Sequence, residues 1–139
     1  MKLEILSFTW NLFSSDKVIS VTAMTKVWEV TILKNHTAVI TSLKPSVVEV
    51  KYIEENVEKT EDFAVWWWVL EFSKNKAKIL VDMLVTVDNV DMKKAENARL
   101  EAVKLMEKYK DAKDRVDMEK FIAAEDMLLK NIAQLKLKR

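Results

Sequence analysis

A chain of 139 residues without a single glycine has few ways to turn tightly. Glycine makes up about 7% of ordinary proteins, so roughly ten would be usual at this length. Lacking a Cβ, glycine enters positive φ at little cost, and tight turns need that. A protein built from short strands has many such turns. The same chain holds five tryptophans, Trp10, Trp28, Trp66, Trp67 and Trp68, the last three consecutive. The residue that turns most easily is absent, and the bulkiest one is crowded into what reads as a strand.

The hydrophobic period changes near residue 88. Up to Asp82 the chain is rich in Val, Ile, Thr and aromatics in strand-sized runs. Lys17-Val18-Ile19-Ser20-Val21-Thr22, Val47-Val48-Glu49-Val50-Lys51-Tyr52 and Lys76-Ala77-Lys78-Ile79-Leu80-Val81 all suit half-buried strands. Runs of this kind at roughly ten-residue spacing predict an antiparallel sandwich or barrel. Leu43-Lys44-Pro45-Ser46 and Lys74-Asn75 read as turns, and Glu54-Glu55-Asn56 as a hairpin tip. After Asn89 helix formers take over. Ala95, Ala98, Ala102, Leu105 and Tyr109 recur at three and four, making a narrow face of mainly small side chains. The pattern breaks around Lys110 to Asp114, where Asp114 or Asp117 offers a cap for a second helix. That helix has its stripe in Phe121, Ala124, Leu128, Ile132 and Leu135. The predicted architecture is an N-terminal antiparallel β-sandwich over 1–87 and a C-terminal antiparallel two-helix hairpin over 88–139. So small a hairpin must pack on the sandwich, on a partner, or alternate between them.

Composition excludes several functions. Charges nearly balance at a net +1, which argues against a broad footprint for nucleic acid. One histidine and no cysteine leave too few ligands for the common zinc sites, and no glycine means no phosphate-cradling loop. Ser14-Ser15-Asp16 reads as a turn before a strand rather than a nucleophile. No apolar run approaches the ~20 residues of a membrane span. Met1-Lys2-Leu3-Glu4 carries an acidic residue where a secretory signal needs apolar ones, so a soluble, intracellular chain is expected. A catalytic site is not expected.

Several segments, in order along the chain, resemble one family. Met1-Lys2-Leu3-Glu4-Ile5 is similar to its first strand, and Trp10-Asn11-Leu12-Phe13-Ser14 to its Gly-x-(Leu/Ile/Met)-Phe-Ser segment. Trp28-Glu29-Val30-Thr31-Ile32-Leu33-Lys34-Asn35-His36 is similar to Gly-Glu-x-x-Ile-Leu-Pro-(Gly/Asn)-His. Thr41-Ser42-Leu43-Lys44-Pro45-Ser46-Val47 is similar to Thr-x-Leu-Lys-Pro-Gly-Val. Phe63-Ala64-Val65-Trp66-Trp67-Trp68-Val69-Leu70-Glu71 is similar to Phe-Ala-Val-(Ser/Gly)-Gly-Gly-x-Leu-Glu, and Ile132-Ala133-Gln134-Leu135-Lys136 to the close of the second helix. The chain thus resembles the epsilon subunit of the F-type ATP synthase, called delta in mitochondria.

All five tryptophans fall where that family has glycine, or serine or glycine at Trp66. The coincidence predicts that Trp10, Trp28, Trp66, Trp67 and Trp68 are glycine positions, in a gene that uses UGA for glycine but was translated with UGA as tryptophan. Deliberate engineering is the alternative. Ser46 and Asn35 also replace family glycines, so part of the lean usage is genuine.

The resemblance implies a non-catalytic central-stalk subunit of the proton-translocating enzyme, without a cofactor. Its implied partners are the gamma subunit, the c-ring and the alpha and beta catalytic subunits. Neither nucleic acid nor direct membrane binding is implied, and the implied place is the cytoplasmic face of the cell membrane, held there through the complex. Glu29 and His36 match the segment near the c-ring and the foot of gamma. Arg115, Lys120, Lys130, Lys136 and Lys138 are the candidates for inhibitory contacts with the catalytic subunits. Asp91, Lys94, Ala95 and Arg99 fall on an ATP-sensing motif, although Lys94 replaces its arginine and lacks the planar fork. The competing reading is a stand-alone interaction adaptor made of the same two parts.

Overall fold

Alternating burial sets the strands of the first half, and hydrogen-bond register ties them together. The computed structural model describes residues 1–137, and the side chains of Trp67, Trp68, Met83 and Val87 fall outside that description. The strands are β1 (Lys2–Leu6), β2 (Asn11–Ser15), β3 (Val18–Met24), β4 (Glu29–Leu33), β5 (Val39–Leu43), β6 (Ser46–Glu54), β7 (Val57–Ser73) and β8 (Lys76–Thr86). A 3-10 turn (Val87–Asn89) leads to α1 (Met92–Tyr109) and α2 (Arg115–Leu137). The strands follow the order β2-β1-β8-β7-β6-β3-β4, with β5 also on β7. All strand pairs are antiparallel except β1 and β8, which run parallel.

β7 changes partner along its length. It pairs with β6 from Val57 to Val65 and with β5 from Trp68 to Phe72, while β8 lines its other edge from Phe63 to Ser73. One ladder therefore wraps into the two layers of the sandwich. Lys44-Pro45 is correspondingly a bend through which β5 runs on into β6, not a reversal. Leu3, Ile5, Val21, Ile32, Val48, Val50, Phe63, Val65, Leu70, Phe72 and Ile79 fill the space between the layers. No tryptophan belongs to that core among the described residues.

Left-handed backbone occurs at Asn35, Glu55, Asn56, Lys74 and Asn75. The pairs Glu55-Asn56 and Lys74-Asn75 close the β6–β7 and β7–β8 hairpins, where two successive positive φ angles match the twist of the strands. Asparagine tolerates this region better than other non-glycine residues. Ser14 and Ser15, expected in a turn, lie in β2. The bend comes at Asp16, where the Ser15 hydroxyl accepts from the Lys17 N–H at 3.3 Å.

Asp91 caps α1 by accepting from the Lys94 N–H at 3.1 Å. Asp114 does the same for α2, accepting from the Val116 N–H at 3.2 Å, while Asp117 sits inside the first turn. α1 packs against α2, and α2 packs on β6 and β7. Ala95, Ala102 and Ala124 are buried, as the small-residue face requires. The α2 stripe is only half buried at Phe121, Leu128, Ile132 and Leu135. The seat on the sheet is made by Ala133 and Leu137, which a single stripe facing α1 does not include.

Candidate functional site

Two turns on the sandwich are built alike. Between β1 and β2, the Ser7 N–H donates to the Trp10 carbonyl at 2.9 Å. The Ser7 hydroxyl donates to that same carbonyl and accepts from the N–H groups of Thr9 and Trp10, all at 3.3 Å. Between β3 and β4, the Thr25 N–H and hydroxyl both donate to the Trp28 carbonyl at 2.8 Å. The Thr25 hydroxyl accepts from Val27 N–H at 3.2 Å and Trp28 N–H at 3.0 Å. Each turn places a hydroxyl residue first and a tryptophan fourth, with the indole 69% exposed at Trp10 and 65% exposed at Trp28. Phe8 and Val27 are exposed beside them. The chain pattern held a signal for these turns, a Ser or Thr three residues before each tryptophan, that the strand reading passed over.

Glu29 follows the second turn as the first residue of β4. It is exposed and lines a hollow shared with Lys44, Pro45 and Val47 of the sandwich and with Ile132 and Lys136 of α2. His36 lies beyond the other end of β4. Its Nδ1 is 2.7 Å from the Thr37 carbonyl, its backbone N–H donates to the Leu33 carbonyl at 3.1 Å, and its ring meets Phe72 edge-on at 5.8 Å. Next to it, the Asn35 N–H donates to Asn75 Oδ1 at 2.6 Å and Asn75 Nδ2 donates to Asn35 Oδ1 at 2.9 Å. This pair ties the β4–β5 connection to the β7–β8 hairpin. The structure therefore sets Glu29 and His36 apart, at opposite ends of one strand.

The candidate cations of α2 fall into different surroundings. Arg115 pairs with Glu119 at 3.2 Å on the exposed surface. Lys120 lies over the Tyr109 ring of α1 at 5.4 Å, and Lys130 over the Trp66 ring of β7 at 5.5 Å. Lys136 is exposed beside the Glu29 hollow. Lys138 lies outside the described residues. Exposed pairs such as Arg115–Glu119 contribute ~0–1 kcal/mol each.

Asp91, Lys94 and Ala95 do come together at the start of α1, but Asp91 is occupied as the cap and Ala95 is buried. Asp91 and Lys94 border a shallow hollow with Asn97 and Glu101. Arg99 is turned to Glu96, with its Nη2 at 2.5 Å, and the bonded carboxylate raises its already high pKa. Among the described residues, no group of three or more His, Asp or Glu is arranged to hold a metal ion. Among the described residues, no helix is long and apolar enough to cross a membrane.

The seat of α2 is a second apolar cluster, apart from the sandwich core. Ala64 and Trp66 of β7 meet Ala133 and Leu137 of α2 and Val90 of the connection, with Val47 and Val85 packed alongside. Trp66 is 6% exposed there, on the outer face of β7. Four residues earlier, Asp62 stands directly opposite Glu49 of β6. Its Oδ1 is buried without a hydrogen-bond partner. Burial pushes the Asp62 carboxyl above its ordinary range, and Glu49 pushes it further.

Comparison with known proteins fits this arrangement. The family model for the ATP synthase delta/epsilon chain β-sandwich domain matches residues 1–87. An ATP synthase epsilon chain of Pediococcus pentosaceus is 29% identical over 118 residues, 85% of this chain and 82% of the relative. One from Levilactobacillus brevis is 36% identical over 90 residues, 65% of this chain and 62% of the relative. One from Rhizobium meliloti is 31% identical over 112 residues, 81% of each chain. Among solved structures, a chain of the Euglena gracilis mitochondrial ATP synthase, in an OSCP/F1/c-ring assembly, superposes with a TM-score of 0.74 at 20% identity. That match covers 91% of this chain and 74% of the other. A chain from the central stalk and c-ring of the Tetrahymena thermophila mitochondrial ATP synthase gives 0.63 at 15% identity, covering 100% and 96%. At these identities the superpositions speak for the fold. A sandwich matched across residues 1–87, together with relatives that extend into the helical hairpin, makes this chain a member of the ATP synthase delta/epsilon chain family.

Proposed function

We propose that the chain is a non-catalytic rotor subunit of an F-type ATP synthase, joining gamma to the c-ring at the cytoplasmic face of the membrane. The observation that carries this reading is the family match over the whole sandwich, followed in the same chain by a two-helix hairpin. The named assemblies of the two superposed chains, with their c-ring and central stalk, support it. Residues 1–87 form the unit that binds gamma and the c-ring, with Glu29 and His36 among the contacts. Residues 88–139 form a unit that moves. Released from β6 and β7, it would present Arg115, Lys120, Lys130, Lys136 and Lys138 to acidic segments of the alpha and beta subunits and slow ATP hydrolysis. Individual exposed charges are too weak to hold such a state, so several must act together. Nucleotide sensing at Asp91, Lys94, Ala95 and Arg99 would compete with the α1 cap, because Asp91 already accepts from the Lys94 N–H.

Capture of the tagged chain from native membranes tests the assignment. Recovery of gamma and the c subunit in fixed proportion supports it. Recovery of the chain with other proteins and no ATP synthase subunit overturns it in favour of the adaptor. Removal of residues 88–139 then tests regulation, with faster ATP hydrolysis by the purified complex expected and an unchanged rate counting against inhibition.

A further inference from the structure

We propose that the chain made in its own cell carries glycine at positions 10, 28, 66, 67 and 68, and that glycine at 66 lets α2 close onto the bare backbone of β7. The structure supplies three arguments for this, independent of the sequence coincidence.

The first comes from the two matched turns. In each, the residue that makes the bonds is the hydroxyl residue at the first position, and the fourth contributes only its backbone N–H and carbonyl. Serine at the first position and glycine at the fourth are favoured residues in common tight turns. Indoles at both fourth positions stand in solvent, taking part in no bond of the turn and burying little surface. Two unrelated exposed tryptophans in one turn geometry are hard to explain by packing. Neither Trp10 nor Trp28 takes a positive φ, so glycine there would act by removing an exposed indole rather than by supplying a backbone shape.

The second comes from β7. Val65 is its last residue on β6 and Trp68 its first on β5, so the strand passes between layers across Trp66 and Trp67. Glycine inside a strand marks such a tight bend or a close backbone approach. The third comes from what faces Trp66. Its neighbours in the α2 seat are Ala64, Ala133 and Leu137, with Val47, Val85 and Val90 around them. The alanines that β7 and α2 each bring to the seat, Ala64 and Ala133, are the pattern of two elements brought close together. An indole is the one large ring in that cluster, and it holds Lys130 at 5.5 Å over its face. Of the three tryptophans whose side chains are described, Trp10 and Trp28 are exposed and Trp66 lies in the α2 seat.

The decisive test is the mass of the native protein. Residues 92–139 contain no tryptophan, so an antibody raised against the hairpin captures either version. Peptide masses then read each of the five positions. Glycine at all five is the expected result. Tryptophan at any of them overturns the claim for the set. The second clause needs its own experiment on recombinant chain. The five-glycine protein is compared with one that keeps Trp66 and has glycine at the other four positions. Amide exchange at α2 residues 131–137 is expected to be slower in the five-glycine protein by about tenfold. Equal or faster exchange overturns the seating role and leaves the mass result untouched. Should the version with Trp66 fail to fold, Trp66→Ala in the same background replaces it, with the same readout and the same two outcomes.

Discussion

Asp62 is the one side chain in the described structure that works against its surroundings. A carboxylate opposite Glu49, with a buried oxygen lacking a partner, is a poor fit to an antiparallel pair, where like charges face to face are destabilising. Lys51, with its ammonium 3.4 Å from Glu49, moderates the repulsion but leaves the buried Asp62 Oδ1 without a hydrogen bond. Asp62 lies two residues from Ala64 and so shares the face that α2 covers. Lys130 of α2 lies over the Trp66 ring on this face, and Lys136 borders the hollow beside Val47. Because folding raises the Asp62 pKa above 3.8, the folded chain holds its proton more tightly than the unfolded one. This group therefore costs nothing below the ordinary carboxylate range. Its penalty grows as pH rises through the raised value and then levels off. Asp62→Asn should stabilise the protein at neutral pH by about 0.2–1 kcal/mol and flatten that part of the pH profile. Urea midpoints at about pH 4 and pH 7 measure it, and a variant with the wild-type slope would show that Asp62 is not the source.

At the scale of elements, hydroxyl residues and caps replace the missing glycines. Thr25 closes its turn with a donor and an acceptor role at once, so Thr25→Ala strips bonds that no neighbour replaces. A loss of about 1–2 kcal/mol is expected in chemical unfolding, and Ser7→Ala should lose less, because its bonds are longer. If the Thr25 variant unfolds at the wild-type midpoint, the turn does not depend on its hydroxyl. Asp91→Ala removes the α1 cap and should cost about 1 kcal/mol, seen as faster amide exchange in the first turn of α1. Exchange unchanged there would mean that the cap contributes nothing. Much of this level was legible in the chain. Asp91, Lys74-Asn75 and the Glu55-Asn56 tip are local signals whose chemistry acts within a few residues. The β5–β6 bend was not, because Pro45 reads as a turn whether the chain reverses or only changes layer. Only the pairing of both strands with β7 distinguishes the two. The same holds for Glu29 and His36, seven positions apart in one segment and placed at opposite ends of a strand by its extended geometry.

At the scale of the whole molecule, the two apolar clusters are separate. The sandwich core does not include Ala64, Trp66, Ala133 or Leu137, and the hairpin's seat includes no residue of that core. Seen from the sequence, the hairpin needed something to cover its stripes, but its α2 stripe pointed to Phe121, Ala124, Leu128, Ile132 and Leu135. Ala133 and Leu137 emerge as the seat only once β7 supplies the opposite face. Burying a leucine contributes about 1.5–3 kcal/mol, and alanines contribute less. Trp66 buries the largest surface in the seat, so the hairpin's hold on the sandwich depends mainly on that one position. Ala133→Asp places a carboxylate against Ala64, near the already unpartnered Asp62. Its desolvation costs several kcal/mol, more than so small a seat can offset. The expected outcome is a hairpin that exchanges its amides rapidly along α2 while β3, β6 and β7 stay protected. In the assembled enzyme the released hairpin should also slow ATP hydrolysis relative to the unmodified subunit. Loss of protection in the sandwich strands together with α2 would show one cooperative unit instead, and the hairpin could then not leave without unfolding the part that holds it to the rotor.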